Sequence, residues 1–211
     1  MSQPEAGDQP IPTYTGSRAQ EYEARRRPQA EWQAEDAAVA AWLAGFPRGL
    51  TVLDAPVGTG RFLPRLVAAG HTVIGVDRSP DMLALAAAKQ TPASLWPADL
   101  FAPDWTAPLP PVDLTICLRF ANWAGATRLP ALLRAFLAIT RQAVLVGCHW
   151  TVEDPTALGG RFTQPRPLTI PLPVLLTPVQ AAGWIVTRRL PIKATSRYCY
   201  DLFELRPEAA P

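Results

Sequence analysis

The chain is poor in the residues that build metal centres and disulfide frameworks. Among its 211 residues are two histidines, His71 and His149, and three cysteines, Cys117, Cys148 and Cys199, an odd number without Cys-x-x-Cys spacing. A His-rich metal site is excluded, no metal is expected, and the cysteines read as free buried thiols in a reducing compartment. An excess of one charge is also missing. The 20 basic residues nearly cancel the 18 acidic ones, and the net charge of +2 gives little support to nonspecific nucleic-acid binding. No unbroken apolar stretch approaches the roughly 20 residues of a membrane helix. The opening MSQPEAGDQPIPT lacks the apolar core of a signal peptide. A cytoplasmic protein without a membrane partner is expected. A hydrophobic fraction of 48% against 18% charged argues against wholesale disorder, and the length allows one domain plus an extension.

What is present is an alternating pattern. Residues 1–13 are polar and Pro-rich and read as a flexible tail. Residues 14–48 read as N-terminal helices, one from Ser17 to Arg27, interrupted by Pro28, and one from Ala30 to Ala44. Residues 49–207 then alternate strand and helix. Strands are predicted at Thr51–Ala55, Thr72–Val76, Ser94–Pro97, Val112–Leu118 and Ala143–His149. Helices are predicted at Arg61–Ala69, from Ser79 to Lys89, and at Arg128–Ile139. Ser79-Pro80-Asp81 has the order of a helix start: hydroxyl cap, proline, carboxylate. A long Pro-rich connection from Thr151 to Pro173 leads to a short helix, Thr177–Ala182, and two final strands, Trp184–Leu190 and Tyr198–Leu205. Continuous apolar strands between helices imply a parallel sheet covered on both faces, and two terminal strands without a helix between them imply an antiparallel hairpin. The expected class is α/β, a doubly wound and mostly parallel sheet with an antiparallel C-terminal hairpin.

The sharpest segment runs from Val52 to Phe62. An apolar strand ends at Asp54, enters a turn with Gly58-Thr59-Gly60 and leaves toward a helix. Such glycines let backbone approach a ligand closely, at the strand ends where open α/β sheets bind ligands. Asp77, 17 residues beyond Gly60, ends the second strand, where a carboxylate suits ribose hydroxyls, and Asp99 follows the third. A nicotinamide dehydrogenase would want a third glycine in the turn, and Phe62-Leu63 stand there instead; Asp54 would also repel a pyrophosphate.

These residues resemble motifs I, II and III of the class I S-adenosylmethionine-dependent methyltransferases, and Gly75-Val76-Asp77-Arg78-Ser79-Pro80-Asp81-Met82 is especially like the second. The resemblance implies a seven-stranded Rossmann-like sheet with a reversed final hairpin, and S-adenosylmethionine as cofactor. Asp54, Gly58, Thr59 and Gly60 would hold its methionine end and Asp77 its ribose. Asp99 and Leu100 would hold the adenine, with Arg78 and Met82 nearby. One departure is Pro56, where the family usually has the first glycine of the loop. Tyr14, Arg18 and Tyr22 share a face if helical. By the same resemblance an N-terminal helix closes over the cofactor, with Tyr14 and Arg18 against it.

The acceptor side is carried by Arg119 and Asn122 after the fourth strand and by His149 at the end of the fifth. Arg119 suits an acceptor carboxylate or phosphate, Asn122 a polar contact, and His149 a general base. The Asn/Asp-Pro-Pro-aromatic sequence typical of enzymes that methylate base nitrogens is missing. The expectation is methyl transfer to the oxygen or nitrogen of a small molecule. The alternatives are a protein or glycan-terminus methyltransferase and a non-catalytic cofactor-binding protein.

Overall fold

Two short helices, α1 (Gly16–Gln20) and α2 (Tyr22–Arg26), stand where one was predicted, broken at Glu21. They belong to a computed structural model that describes residues 14–151, 169–195 and 198–209. The expected tail at residues 1–13 and most of the Thr151–Pro173 connection lie outside the described residues. The chain forms two compact units, one running to Ile116 and one starting at Cys117.

In the first unit, α3 (Ala30–Leu43) buries Trp32, Glu35, Val39, Trp42 and Leu43, a helical stripe in which Glu35 takes a core position. Four strands follow, β1 (Thr51–Asp54), β2 (Thr72–Asp77), β3 (Ser94–Pro97) and β4 (Val112–Cys117), with α4 (Leu63–Ala68) and α5 (Pro80–Ala87) between them. They pair in parallel in the order β3-β2-β1-β4. The register sets Asp54 opposite Gly75 and Asp77 opposite Pro97, so the predicted acids end neighbouring strands. The sequence cap of α5 forms as expected, with Ser79 Oγ accepting the Met82 N–H at 3.2 Å.

In the second unit, α6 (Ala121–Ile139) precedes β5 (Thr140–Thr151). The helix starts seven residues before the predicted Arg128, so Asn122 lies in its first turn and not in a loop. Pro130 and Gly125 hid this start, and the backbone does leave helical geometry at Gly125 (φ 62°, ψ −176°). A two-residue strand, β6 (Ile170–Pro171), pairs in parallel with β5 and was not predicted. The next helix, α7 (Leu172–Ala181), is longer than the predicted Thr177–Ala182, its prolines being at the helix start and at Pro178. β7 (Trp184–Ala194) and β8 (Cys199–Pro207) form the expected antiparallel hairpin, and β8 lies antiparallel to β5. The β7–β8 ladder is broken by irregularities between Val186 and Arg188 and between Pro191 and Lys193. The class is α/β and mostly parallel with antiparallel C-terminal strands, as the strand–helix alternation implied. Among the described residues no helix is long and apolar enough to cross a membrane.

Candidate cofactor site and acceptor residues

The glycine turn is built by two residues at positive φ, Gly58 (54°) and Gly60 (75°). They hold the chain out of helical geometry, so α4 begins only at Leu63, two residues later than predicted, and the turn itself forms the site wall. The two glycines differ in surroundings. A Cβ on Gly60 would lie 2.9 Å from Ala86 Cα and 2.8 Å from Leu63 Cδ1, whereas one on Gly58 would meet nothing within 4 Å. Gly60 is there for packing against α5; Gly58 leaves the turn open to a ligand. The Ala55–Pro56 peptide is cis.

Asp77 braces this turn. Its Oδ2 accepts the Gly58 N–H and its Oδ1 the Ser79 N–H, each at 2.9 Å. Burial holds its carboxyl above the usual range, and those amide bonds oppose the shift. The Arg78 backbone N–H is a third donor to this carboxylate, which keeps acceptor capacity for a hydroxyl donor such as those of a ribose. Asp54 is buried more deeply, and its Oδ2 has no hydrogen-bond partner among the described residues. Burial pushes its carboxyl up to about 8; the Asp77 charge adds to this and Arg61 works against it. A buried, unpartnered acceptor beside an open glycine turn fits a ligand that brings a cation and donors to this wall.

The remaining predicted cofactor residues are less uniform. Thr59 is buried and donates to Glu23 Oε1 at 2.6 Å. Asp99 is exposed, accepts the Phe101 N–H at 3.0 Å, and stands 3.9 Å from Arg78. Leu100 and Met82 are buried, at 4% and 3% exposure. Tyr14 precedes α1 and so is not helical, yet its ring meets Tyr22 at 5.1 Å, and the exposed Arg18 lies over it at 5.1 Å. The expected cluster therefore forms with Tyr14 ahead of α1 rather than within a helix. The Tyr14 carbonyl accepts Ser79 Oγ at 2.5 Å, and Gly16 N–H donates to Asp81 at 2.6 Å, tying this segment to the start of α5.

Two groups were missed. Arg61, next to Gly60, is held by Glu35 at 2.5 Å, by Asp36 and by the Trp32 carbonyl, with its guanidinium 3.5 Å from the Trp32 ring centre. The legible signal was Glu35 itself: an acid in the apolar register of α3 needs a cation nearby. Glu23 is the second. Burial would raise its carboxyl, but Thr59 and Lys89 outweigh that and hold it below its usual range. Both groups fix the glycine turn against the N-terminal helices.

In the second unit Asn122 and His149 form one motif. Asn122 Nδ2 donates to the His149 carbonyl at 2.8 Å, and Oδ1 accepts the His149 N–H at 2.9 Å. These partners fix the amide orientation, so the 3.1 Å contact of Oδ1 with His149 Nδ1 requires a proton on Nδ1. In the neutral ring Nε2 then carries the basic lone pair. The imidazole stacks on Tyr200 at 4.3 Å and lies 5.4 Å from Tyr198. Arg119 is half-buried at φ 59°. Cys148 is kept a thiol, its pKa pushed to about 12 by burial, so it is no nucleophile at neutral pH.

Comparison with known proteins bears on this wall. A profile described as a methyltransferase domain matches residues 52–143. No curated protein matches the chain. Among solved structures, magnesium protoporphyrin IX methyltransferase (ChlM) from Synechocystis PCC 6803 with bound SAH is 21% identical, with a TM-score of 0.69 over 84% of this chain and 83% of that one. The DhpI–SAH complex is 22% identical, at 0.69 over 92% and 93%. The methyltransferase domain of bacterial CtHen1-C is 17% identical, at 0.66 over 85% and 100%. At such identities the structures speak for the fold, while the profile match covers the glycine turn and all three strand-end acids. Asp54, Gly58–Gly60, Asp77 and Asp99 all lie within the stretch that is similar to a methyltransferase domain, on a fold shared with methyltransferases that bind S-adenosylmethionine or its product, and both findings are consistent with a class I S-adenosylmethionine-dependent methyltransferase.

Proposed function

We propose that the methyl acceptor is a small molecule with an oxygen or nitrogen nucleophile, and that His149 takes its proton. The supporting observation is the Asn122–His149 pairing, which leaves Nε2 as the basic nitrogen of the ring. S-adenosylmethionine supplies an electrophilic methyl on a sulfonium. The chain's own contribution is to hold and to deprotonate. Asp77 and the Gly58–Gly60 turn grip the ribose and methionine parts, and Asp99 with Leu100 the adenine. Arg78, Met82, Tyr14 and Arg18 complete the cofactor contacts.

Residues 14–48 act in this reading as a cap, through Glu23 on Thr59 and Glu35 on Arg61. Arg119 is assigned to an acidic group of the acceptor, because a guanidinium pairs in bidentate fashion with carboxylate or phosphate. The three free thiols support a cytoplasmic setting.

The test is an acceptor screen with labelled methyl donor, followed by pH–rate profiles of the best acceptor. If His149 is the base, the rate should fall as the imidazole becomes protonated at low pH, and His149→Gln should lose that limb. An unchanged profile in His149→Gln removes the base role. Label appearing only in protein or glycan termini replaces the small-molecule reading, and a chain that binds cofactor without turning over any acceptor replaces the catalytic one.

A further inference from the structure

The segment ahead of α3 is held to the first unit largely by polar contacts. α2 buries no residue and α1 buries Ala19, whereas α3 buries Trp32, Val39, Trp42 and Leu43. Glu23 of α2 is the centre of these contacts. Its Oε1 accepts the Thr59 hydroxyl at 2.6 Å and Lys89 Nζ at 2.9 Å. Its Oε2 accepts Lys89 Nζ at 3.1 Å and the Arg27 guanidinium at 3.3 Å. These bonds use the acceptor capacity of a carboxylate almost completely. Nearer the N-terminus, the Tyr14 carbonyl and the Gly16 N–H add bonds to Ser79 and Asp81.

The partners of this segment all stand on the glycine turn or on the stretch that follows β2. Thr59 lies between the two turn glycines. Ser79 is bound through its own N–H by Asp77, and Lys89 follows α5, against which Gly60 packs. Gly58 and Gly60 have no side chain by which the turn can be held, so Thr59 is its handle. A hydroxyl has one proton to donate, and Thr59 donates its own to Glu23. While α2 is docked, that hydroxyl is not a donor to a ligand. It carries the position of α2 to the turn instead.

Resting on the reading of Gly58–Gly60 as the cofactor wall, we propose that Glu23 is a positioning residue of that wall. It fixes the turn through Thr59, so docking of α2 and binding of the cofactor favour each other. A turn already ordered by Glu23 costs less to order when the ligand arrives. By reciprocity, a bound cofactor holds α2 in place to the same extent.

The first test is calorimetric titration of the full chain with S-adenosylhomocysteine. Glu23→Ala and Thr59→Val should each weaken binding at least about fivefold, the lower end of usual couplings between sites. The double variant should bind no more weakly than the worse single one, because the two side chains act as a unit. Thr59→Ser, which keeps the hydroxyl, should recover most of the affinity lost in Thr59→Val. The second test needs wild type alone and so survives a variant that does not fold. Arg25 is 68% exposed, and trypsin cleavage after Arg25 or Arg26, identified by mass, reads the opening of α2. Saturating S-adenosylhomocysteine should slow that cleavage at least about fivefold in wild type and far less in Thr59→Val. Thr59→Val binding as tightly as wild type, single effects that multiply in the double variant, or cleavage that the ligand does not slow each overturn the proposal. Absence of any binding by wild type overturns the cofactor wall itself, a distinguishable failure.

Discussion

Alanine at Gly60 and at Gly58 should have opposite consequences although both glycines have positive φ. At either position an L-residue in left-handed geometry costs about 1–2 kcal/mol. At Gly58 that is the whole structural cost, since its Cβ would meet nothing within 4 Å. At Gly60 the Cβ would press on the Ala86 backbone at 2.9 Å, where no side-chain rotation relieves it. Overpacking of this kind adds about 1–3 kcal/mol, so the total is roughly 2–5 kcal/mol, a large share of a typical domain's stability. Urea unfolding and calorimetric titration with S-adenosylhomocysteine separate the two effects. Gly58→Ala should lower the midpoint only by that backbone strain of about 1–2 kcal/mol and lose cofactor affinity, because its methyl occupies the open side of the turn. Gly60→Ala should show a markedly lower midpoint. Equal destabilisation by the two variants would refute the argument that Gly60 serves packing and Gly58 the ligand.

Other outcomes follow from single contacts. Asp77→Ala removes a charged acceptor and frees the Gly58 amide; at about 1.5–3 kcal/mol for such a bond, affinity should fall roughly 10- to 150-fold, and an unchanged dissociation constant would leave Asp77 a mere brace for Ser79. Asn122→Ala removes two hydrogen bonds to the His149 backbone, whose carbonyl keeps the Cys148 thiol at 3.6 Å, and should cost about 1–3 kcal/mol in denaturant unfolding; a smaller loss would mean that water replaces the amide. The raised Asp54 carboxyl sets the sign of a pH effect. The folded chain keeps a proton that the unfolded chain loses, so stability is greatest below the unfolded carboxylate range and falls as pH rises toward about 8. Asp54→Asn should flatten that slope, measured as melting temperature from pH 5 to 8, and an unaltered slope would assign it to other groups.

The sheet was legible because its strands are continuous apolar runs with an acid or a glycine turn at the end, and these local signals coincide with the candidate site. Ser94–Pro97 was read to the residue because flanking turn formers bound it. The start of α6 was not legible, since Gly125 and Pro130 break local helical preference while packing of Leu129, Leu132, Leu133 and Phe136 restores the helix. Of the candidate residues, those whose place follows from their own type and position lie where the sequence put them: glycines at positive φ, and acids at strand ends. Those that act through a partner distant in sequence were not legible. Arg61 and Glu35 are 26 positions apart, and Glu23 and Thr59 are 36 apart, so their pairing is decided by tertiary packing. The Asn122–His149 pair is similar: both residues were singled out, but the tautomer they fix depends on backbone hydrogen bonds with no sequence signature.

The irregular ladder of β7 has a consequence for self-association. An outermost strand with a regular row of unpaired backbone groups invites a second chain to extend the sheet. Among the described residues β7 ends the order β5-β8-β7, yet it carries two breaks in register and a proline at Pro191 that offers no N–H. The bulges twist the strand away from a flat partner, and the proline interrupts its row of donors. This edge is a poor template for strand addition, which disfavours growth of filaments or joined sheets through it, even at high protein concentration.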